Sequence, residues 1–441
     1  MPSPMGLRGR VGHTGPMQHT AVPMHPAPGA GRGPGGPGFR ELAAVLARAP
    51  HDVACTPFGI YVHVPFCLRR CGYCAFNTRV LADAGGDSAT AAFVDAAVTE
   101  LRAAGHAFAG RAPPVQSVYF GGGTPTLLSP GQLGRILVTV TEEFPVLAGA
   151  EVTVESNPDS VTAAELAELA TLGVTRMSFG MQSAAPHVLA ALDRTHDPER
   201  ALHAVAEARS AGIEHVNLDL IHGTPGEGAD DWRRSLLAAL GTGIDHLSAY
   251  ALSVEDGTKL AARVRHDRMD RPDSDLAADH YALADELLAA RGFEWYEVSN
   301  WARGEGARCR HNLLYWRNHH WWGVGPGAHS HLAGLRWWNH AGPQQCADAL
   351  RRGELPWAGH EVVDGPGRQL EELMLGIRLR EGLAVPADDD GARGAVADGL
   401  AVRRDGRLVL TRAGRLLADE VVRRLAPAEG ARARSAPKGP P

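Results

Sequence analysis

The residues best suited to chemistry in this chain are three cysteines, Cys67, Cys71 and Cys74, spaced C-x3-C-x2-C. Thiolates this close together make a soft-ligand site for zinc or an iron–sulfur cluster. Structural zinc wants four ligands in a closed tetrahedron, and no fourth Cys or His stands at zinc-finger spacing nearby. A 4Fe–4S cubane usually takes four cysteines, so three would leave one iron open. An open iron does chemistry rather than scaffolding, and the spacing therefore points to a catalytic or substrate-binding cluster. Two further features carry chemical weight. Gly121-Gly-Gly-Thr-Pro125 offers side-chain-free backbone that a ligand can approach and amide N–H groups that an anion can use. Asp219, inside the apolar run Asn217-Leu-Asp-Leu-Ile221, is costly to bury unpaired and requires a partner or a ligand.

The elements that must position these residues are legible as an alternation. Short apolar runs start at Gly59, Val115, Glu151, Arg176, His215 and His246. Between them lie segments of helical periodicity, among them Thr162–Leu172, Pro198–Ala211 and Asp230–Leu240, and Thr162 with Glu165 fits a capping box. Such alternation predicts an α/β fold with a parallel sheet, either a partial barrel or a doubly wound sheet. Ligands then belong at the carboxyl ends of the strands. The cysteines, the glycine run, Glu155 and Gln182 all follow their strands directly, whereas Asp219 sits slightly inside its own. Beyond residue 293 the chain turns rich in tryptophan and histidine, with His311, His319, His320, His329, His331 and His340. A helix over Gly367–Arg380, a hairpin about Asp405-Gly406 and a last helix capped by Thr411 predict a small winged-helix-like module. The expected division is a Gly/Pro-rich disordered tail and linker over 1–50, a core over 51–292, a mixed region over 293–360, the module over 361–427 and a disordered tail over 428–441.

Composition narrows the classes. The chain has 441 residues, 44% hydrophobic and 21% charged, with a net charge of −6. Those values suit an ordinary globular protein and argue against a general polyanion binder. Six cysteines are too few for a disulfide scaffold. No apolar stretch approaches the roughly 20 residues that a membrane span needs. The cysteine usage fits a reducing cytoplasm.

The cysteine motif, with Tyr73 just before its last member, resembles the signature of the radical S-adenosylmethionine (radical SAM) superfamily. That resemblance implies a 4Fe–4S cluster on Cys67, Cys71 and Cys74, whose open iron chelates S-adenosylmethionine and whose electron generates a 5′-deoxyadenosyl radical. Closer still, Tyr61-Val-His-Val-Pro-Phe-Cys67, the Gly121 motif, Glu155-Ser-Asn-Pro158, Arg176-Met-Ser-Phe-Gly-Met-Gln182 and Asn217-Leu-Asp-Leu-Ile-His-Gly-Thr-Pro225 resemble oxygen-independent coproporphyrinogen oxidase and its HemW-type haem-chaperone relatives. The resemblance spans roughly residues 57–425. It implies a partial (β/α)6 barrel and cofactor contacts from Tyr61, Tyr73, Gly122, Gly123, Thr124, Glu155, Gln182, Arg194 and Asp219.

Three features separate the two branches. The oxidase has a fourth cysteine two places after the third, where this chain has Phe76. The chaperone branch carries H-N-x-x-Y-W, which stands here as His311-Asn312-Leu-Leu-Tyr315-Trp316. The oxidase's ordered N-terminal extension is replaced by low-complexity sequence. The resemblance thus implies a haem chaperone that delivers haem to acceptor respiratory proteins and draws on an electron donor for its cluster. Imidazole is a common axial haem ligand, so His311, with Tyr315 and Trp316 as flat neighbours, is the expected haem site, and His329 and His331 are its rivals. Cys55, Cys309 and Cys346 read as structural thiols. The expected location is the cytoplasm with transient visits to the membrane surface, and the expected assembly is open to a dimer. Two enzyme readings compete: radical decarboxylation of coproporphyrinogen III, and radical RNA modification. The mixed charges of residues 368–424 weigh against the second and against any nucleic-acid partner. Binding with a vestigial cluster is a further alternative.

Overall fold

The computed structural model describes Leu42, Ala47 and residues 50–426. Of the expected tail and linker over 1–50 only Leu42, Ala47 and Pro50 are described, each of them helical, and the expected tail over 428–441 lies outside the described residues.

Six strands come first: β1 Phe58–Val64, β2 Val115–Gly122, β3 Val146–Ser156, β4 Arg176–Gln182, β5 His215–His222 and β6 His246–Ala251. They pair in parallel, in sequence order. Helices join them, including α1 Asp87–Phe108, α2 Pro130–Glu143, α3 Ala163–Thr171, α4 Pro198–Ser210 and α5 Ala229–Gly241. The helix starts are chemically defined. Ser129 with Gln132 and Thr162 with Glu165 both form reciprocal capping boxes, which satisfy amides that the first helical turn would leave unpaired.

The stretch beyond 293 extends the same sheet at both edges. β7 Glu294–Glu297 and β8 Asn300–Ala302 add antiparallel beside β6. β9 His320–Val324 returns to the opposite side and pairs in parallel with β1, and β10 His329–Leu332, β11 Leu335–Asn339 and β12 Trp357–Val362 continue antiparallel from it. The twelve strands run β12-β11-β10-β9-β1-β2-β3-β4-β5-β6-β8-β7, so the sheet is open. It nevertheless curls. The helix α6 Arg310–Trp316 touches Ser117 on β2 through His311 and Glu297 on β7 through Asn312, so strands far apart in the order meet across it.

The two faces differ in chemistry, because side chains alternate along a strand. Ile60, Val62, Val118, Phe120, Val154, Met177, Phe179, Val216, Leu218, Leu220 and Leu247 are buried in the apolar core. The alternate positions hold Tyr61, Tyr119, Glu155, Ser178, Asn217, Asp219 and Ser248, which makes the inner wall polar. Burying so many polar groups is tolerable only where they bond one another or a ligand.

The last residues form a smaller unit. Gly365–Gly376 and Asp390–Ala397 are helices, and Leu383–Ala384, Ala401–Arg404 and Arg407–Leu410 form a three-stranded sheet. The hairpin turns at Asp405 and Gly406, both with positive φ (50° and 77°), a conformation that Asp-Gly adopts readily. The unit has its own apolar core around Ile377, Leu400, Leu408, Leu410 and Val421. Among the described residues no helix is long and apolar enough to cross a membrane.

Candidate functional site

The cysteine loop leaves the carboxyl end of β1. Val64 leads into a two-residue strand, Phe66–Cys67, which pairs with Arg79–Val80 and so closes the loop at its base. Inside it Cys74 N donates to Cys71 O (3.3 Å) and Gly72 N to Leu192 O (3.4 Å). The three thiols are half-buried. Burial raises the Cys67 thiol pKa and pushes that of Cys74 up to about 11, and repulsion from a neighbouring Cys71 thiolate adds to both. Three such anions are stable together only against a cation, which is what an iron–sulfur cluster provides. Among the described residues no three His, Cys, Asp or Glu side chains converge on a single ion. A cubane gives each thiolate its own iron, so the donor set fits a cluster of that kind rather than a mononuclear site.

Beside the loop, Gly123 N donates to Val64 O (2.8 Å) and Thr124 N to Phe66 O (2.7 Å), which fastens the glycine run to the strand that carries Cys67. Gly122 has φ of +105°, and a Cβ there would strike the His63 ring. At Gly123 a Cβ would come 2.8 Å from Val64 O. Both positions therefore demand glycine. His63 Nε2 donates to Asn77 O (3.0 Å), which leaves Nδ1 to accept from Tyr61 Oη (2.9 Å).

Arg194 joins the next elements to the loop. Its guanidinium donates to Asn157 Oδ1 (2.5 Å), to Gly180 O (2.8 Å) and to Cys71 Sγ (3.5 Å). The Tyr73 phenol is held neutral by burial and by the neighbouring Cys71. Gln182 ends β4 with a φ of 64° and is buried.

Two carboxylates line the inner wall. Glu155 accepts from Tyr119 Oη (2.6 Å) and Gly122 N (3.1 Å), and burial, aided by Asp219, pushes its pKa up to about 7. Asp219 accepts from Ser178 Oγ (2.8 Å) and Asn217 Nδ2 (2.9 Å), and burial raises it also. Its place inside β5 is explained by register. It lies beside Gly180 and Ser248 on the polar face, one layer below the strand ends.

The H-N-x-x-Y-W helix, the expected haem site, lies at the other end of the strands. His311 is 1% exposed; its Nδ1 bonds Ser117 Oγ (2.9 Å) and its Nε2 bonds Tyr315 Oη (2.9 Å). Trp316 is 2% exposed and packs with Tyr296, Leu313 and Leu379. With both imidazole nitrogens engaged and the indole enclosed, neither presents itself to a porphyrin. The motif is instead wired to the carboxylates. The His311 ring stacks on Tyr119 (5.1 Å), the residue that donates to Glu155. Asn312 donates to Tyr296 Oη (3.2 Å), which bonds His246 Nε2 (2.9 Å); His246 Nδ1 bonds Asn217 Oδ1 (2.7 Å), and Asn217 donates to Asp219. Sequence reasoning missed Tyr119, Asn217, His246 and Tyr296. Their signal was polarity at every second place of otherwise apolar runs.

The helix is itself anchored by Glu151, which accepts from the amides of Arg310 (3.1 Å) and His311 (3.0 Å) and pairs with Arg176 (3.1 Å). Burial alone would raise the Glu151 pKa; the Arg176 charge and the two amides outweigh it and hold the carboxyl below its ordinary range.

The chain is similar to known proteins along most of its length. A sequence model of the radical SAM superfamily matches residues 61–239. The haem chaperone HemW of Mycobacterium tuberculosis is 49% identical over 375 residues, covering 84% of this chain and 95% of the relative. HemW of Bacillus subtilis is 30% identical over 82% of this chain and 97% of its own. Coproporphyrinogen III oxidase (HemN) from Escherichia coli shares the fold, with a TM-score of 0.72 over 88% of this chain and 93% of that one, at 21% identity. With its cysteine loop, glycine cradle and inner-wall carboxylates in this arrangement, the chain belongs to the HemW family of the radical SAM superfamily.

Proposed function

We propose that this chain is a haem chaperone, which binds haem and passes it to haem-accepting respiratory proteins. The observation that carries the reading is the 49% identity to a haem chaperone along 95% of that protein's length. Phe76 supports it, since it stands where the oxidase branch has a further cysteine and is 51% exposed at the rim of the cluster loop. Cys67, Cys71 and Cys74 would hold a 4Fe–4S cluster. Tyr61, Tyr73, Gly122, Gly123, Thr124, Glu155, Gln182, Arg194 and Asp219 would hold S-adenosylmethionine beside it. When bound, that pair supplies one-electron chemistry. The chain's own part is to keep the site dry, to present two carboxylates to a cationic cofactor and to fix Arg194 against Cys71. An electron donor for the cluster, a cytoplasmic location with transient membrane contact, and a dimer belong to the same proposal.

The test is anaerobic incubation of reconstituted protein with haem and, separately, with coproporphyrinogen III and S-adenosylmethionine. Haem uptake followed by transfer to an apo-acceptor is expected. Sustained conversion of coproporphyrinogen would replace this reading with the oxidase.

A further inference from the structure

A chaperone must surrender its cargo, so its haem site has to be reachable from solvent. A cavity of about 370 Å³ meets that need, at the amino ends of β1 and β9 and thus opposite the cysteine loop. Pro57, Ala333, Gly334 and Val363 supply apolar wall, and Cys55, His319, His320, His331 and Arg368 supply the groups a metalloporphyrin uses. The cavity opens where α6 ends, since Asn318 and His319 follow Trp316 by two and three residues.

Within it His331 has the geometry of a metal ligand. Its Nδ1 lies 2.7 Å from the carbonyl oxygen of His319; a carbonyl only accepts, so Nδ1 carries the proton. That leaves the lone pair on Nε2, the tautomer that metal-binding imidazoles adopt when the second nitrogen is fixed by a carbonyl. The side chain is 4% exposed, and its ring is set by contacts with His320 (5.7 Å) and Trp321 (5.1 Å). Of the two carboxylates on this wall, Glu371 is paired with Arg336 and Glu372 is exposed at the rim, where Arg368 lies against Gly334.

We propose that this cavity is the haem site and that His331 Nε2 is the axial ligand, in place of His311. The inference rests on the chaperone reading and adds its location. The experiment is titration of the whole chain with ferric haem, read by the Soret band and by affinity. The wild type should show a histidine-ligated spectrum. His331→Ala should shift the Soret band and weaken binding at least tenfold, and free imidazole should restore the spectrum. Val363→Trp, which fills the cavity without touching the ligand, should weaken haem binding too. Iron–sulfur absorption retained by both variants would report that they fold. Wild-type haem uptake with an unchanged Soret band and affinity in folded His331→Ala overturns the site alone. No uptake by the wild type overturns the chaperone reading and the site together.

Discussion

Tyr119 shows how one residue can matter to a cofactor through its neighbour. Its phenol donates to Glu155 on one side and its ring stacks on His311 on the other. Tyr119→Phe removes one hydrogen bond to a carboxylate, worth about 1.5–3 kcal/mol. S-adenosylmethionine binding by the reconstituted protein should weaken by at least about tenfold, as read by isothermal titration, with the cluster absorption unchanged. The raised pKa of Glu155 gives a second expectation. Protonated Glu155 favours the fold at acid pH, and that contribution is lost as pH rises through about 7. Cofactor affinity should move the opposite way, tightening as the carboxyl ionises through about 7, and Glu155→Gln should abolish that dependence. A flat affinity profile in the wild type would remove Glu155 from the cofactor's surroundings. At the cluster itself, Cys67→Ala, Cys71→Ala or Cys74→Ala should each abolish the brown absorption of anaerobically reconstituted protein, and a triple variant that still takes up four irons would refute the assignment.

The elements differ in how plainly the sequence announces them. The six parallel strands are short apolar runs between capped helices, and the structure puts them within a few residues of expectation. Thr162 and Glu165 form the box that their spacing suggests. The strands after 293 are harder to read. His320–Val324 is buried at every position, and its Trp and His residues carry no alternation to mark a face. Its partner β1 is remote in sequence, so no local pattern reveals the pairing. The surroundings of His311 are hidden for a related reason. Residue type announces a ligand, but only the fold shows that Ser117 and Tyr315 already hold both nitrogens. The same helix supplies a test. Glu151→Ala would strip two amides of their acceptor and leave Arg176 buried without its carboxylate, a loss of about 3–5 kcal/mol for a broken buried pair. Urea denaturation followed by tryptophan fluorescence should show it, and a loss below about 1 kcal/mol would mean that the helix is held by packing alone. Because Glu151 titrates below the ordinary range, its stabilisation is present above the unfolded pKa and disappears as pH falls through the folded one.

At the scale of the molecule, the C-terminal unit has its own core but is tied to the barrel by Arg415. That guanidinium is 4% exposed, donates to Asp285 through two nitrogens (3.0 and 2.6 Å) and to Tyr281 Oη (3.0 Å), and lies 4.5 Å from the Trp295 ring centroid. Arg415→Ala should uncouple the two parts, so that calorimetry resolves a separate low-temperature transition where the wild type shows one. A single unshifted transition would mean that the apolar contacts suffice. The pairing of Phe58 with His320 bears on how the protein is made. On the ribosome, the strand that leads into the cysteine loop emerges early, yet one of its two sheet neighbours is not synthesised until most of the chain is out. Pairings so distant along the chain form slowly. During biogenesis the cysteine loop would therefore stand beside an incomplete sheet, and cluster insertion would best follow the arrival of β9, as a late maturation step on a nearly finished chain.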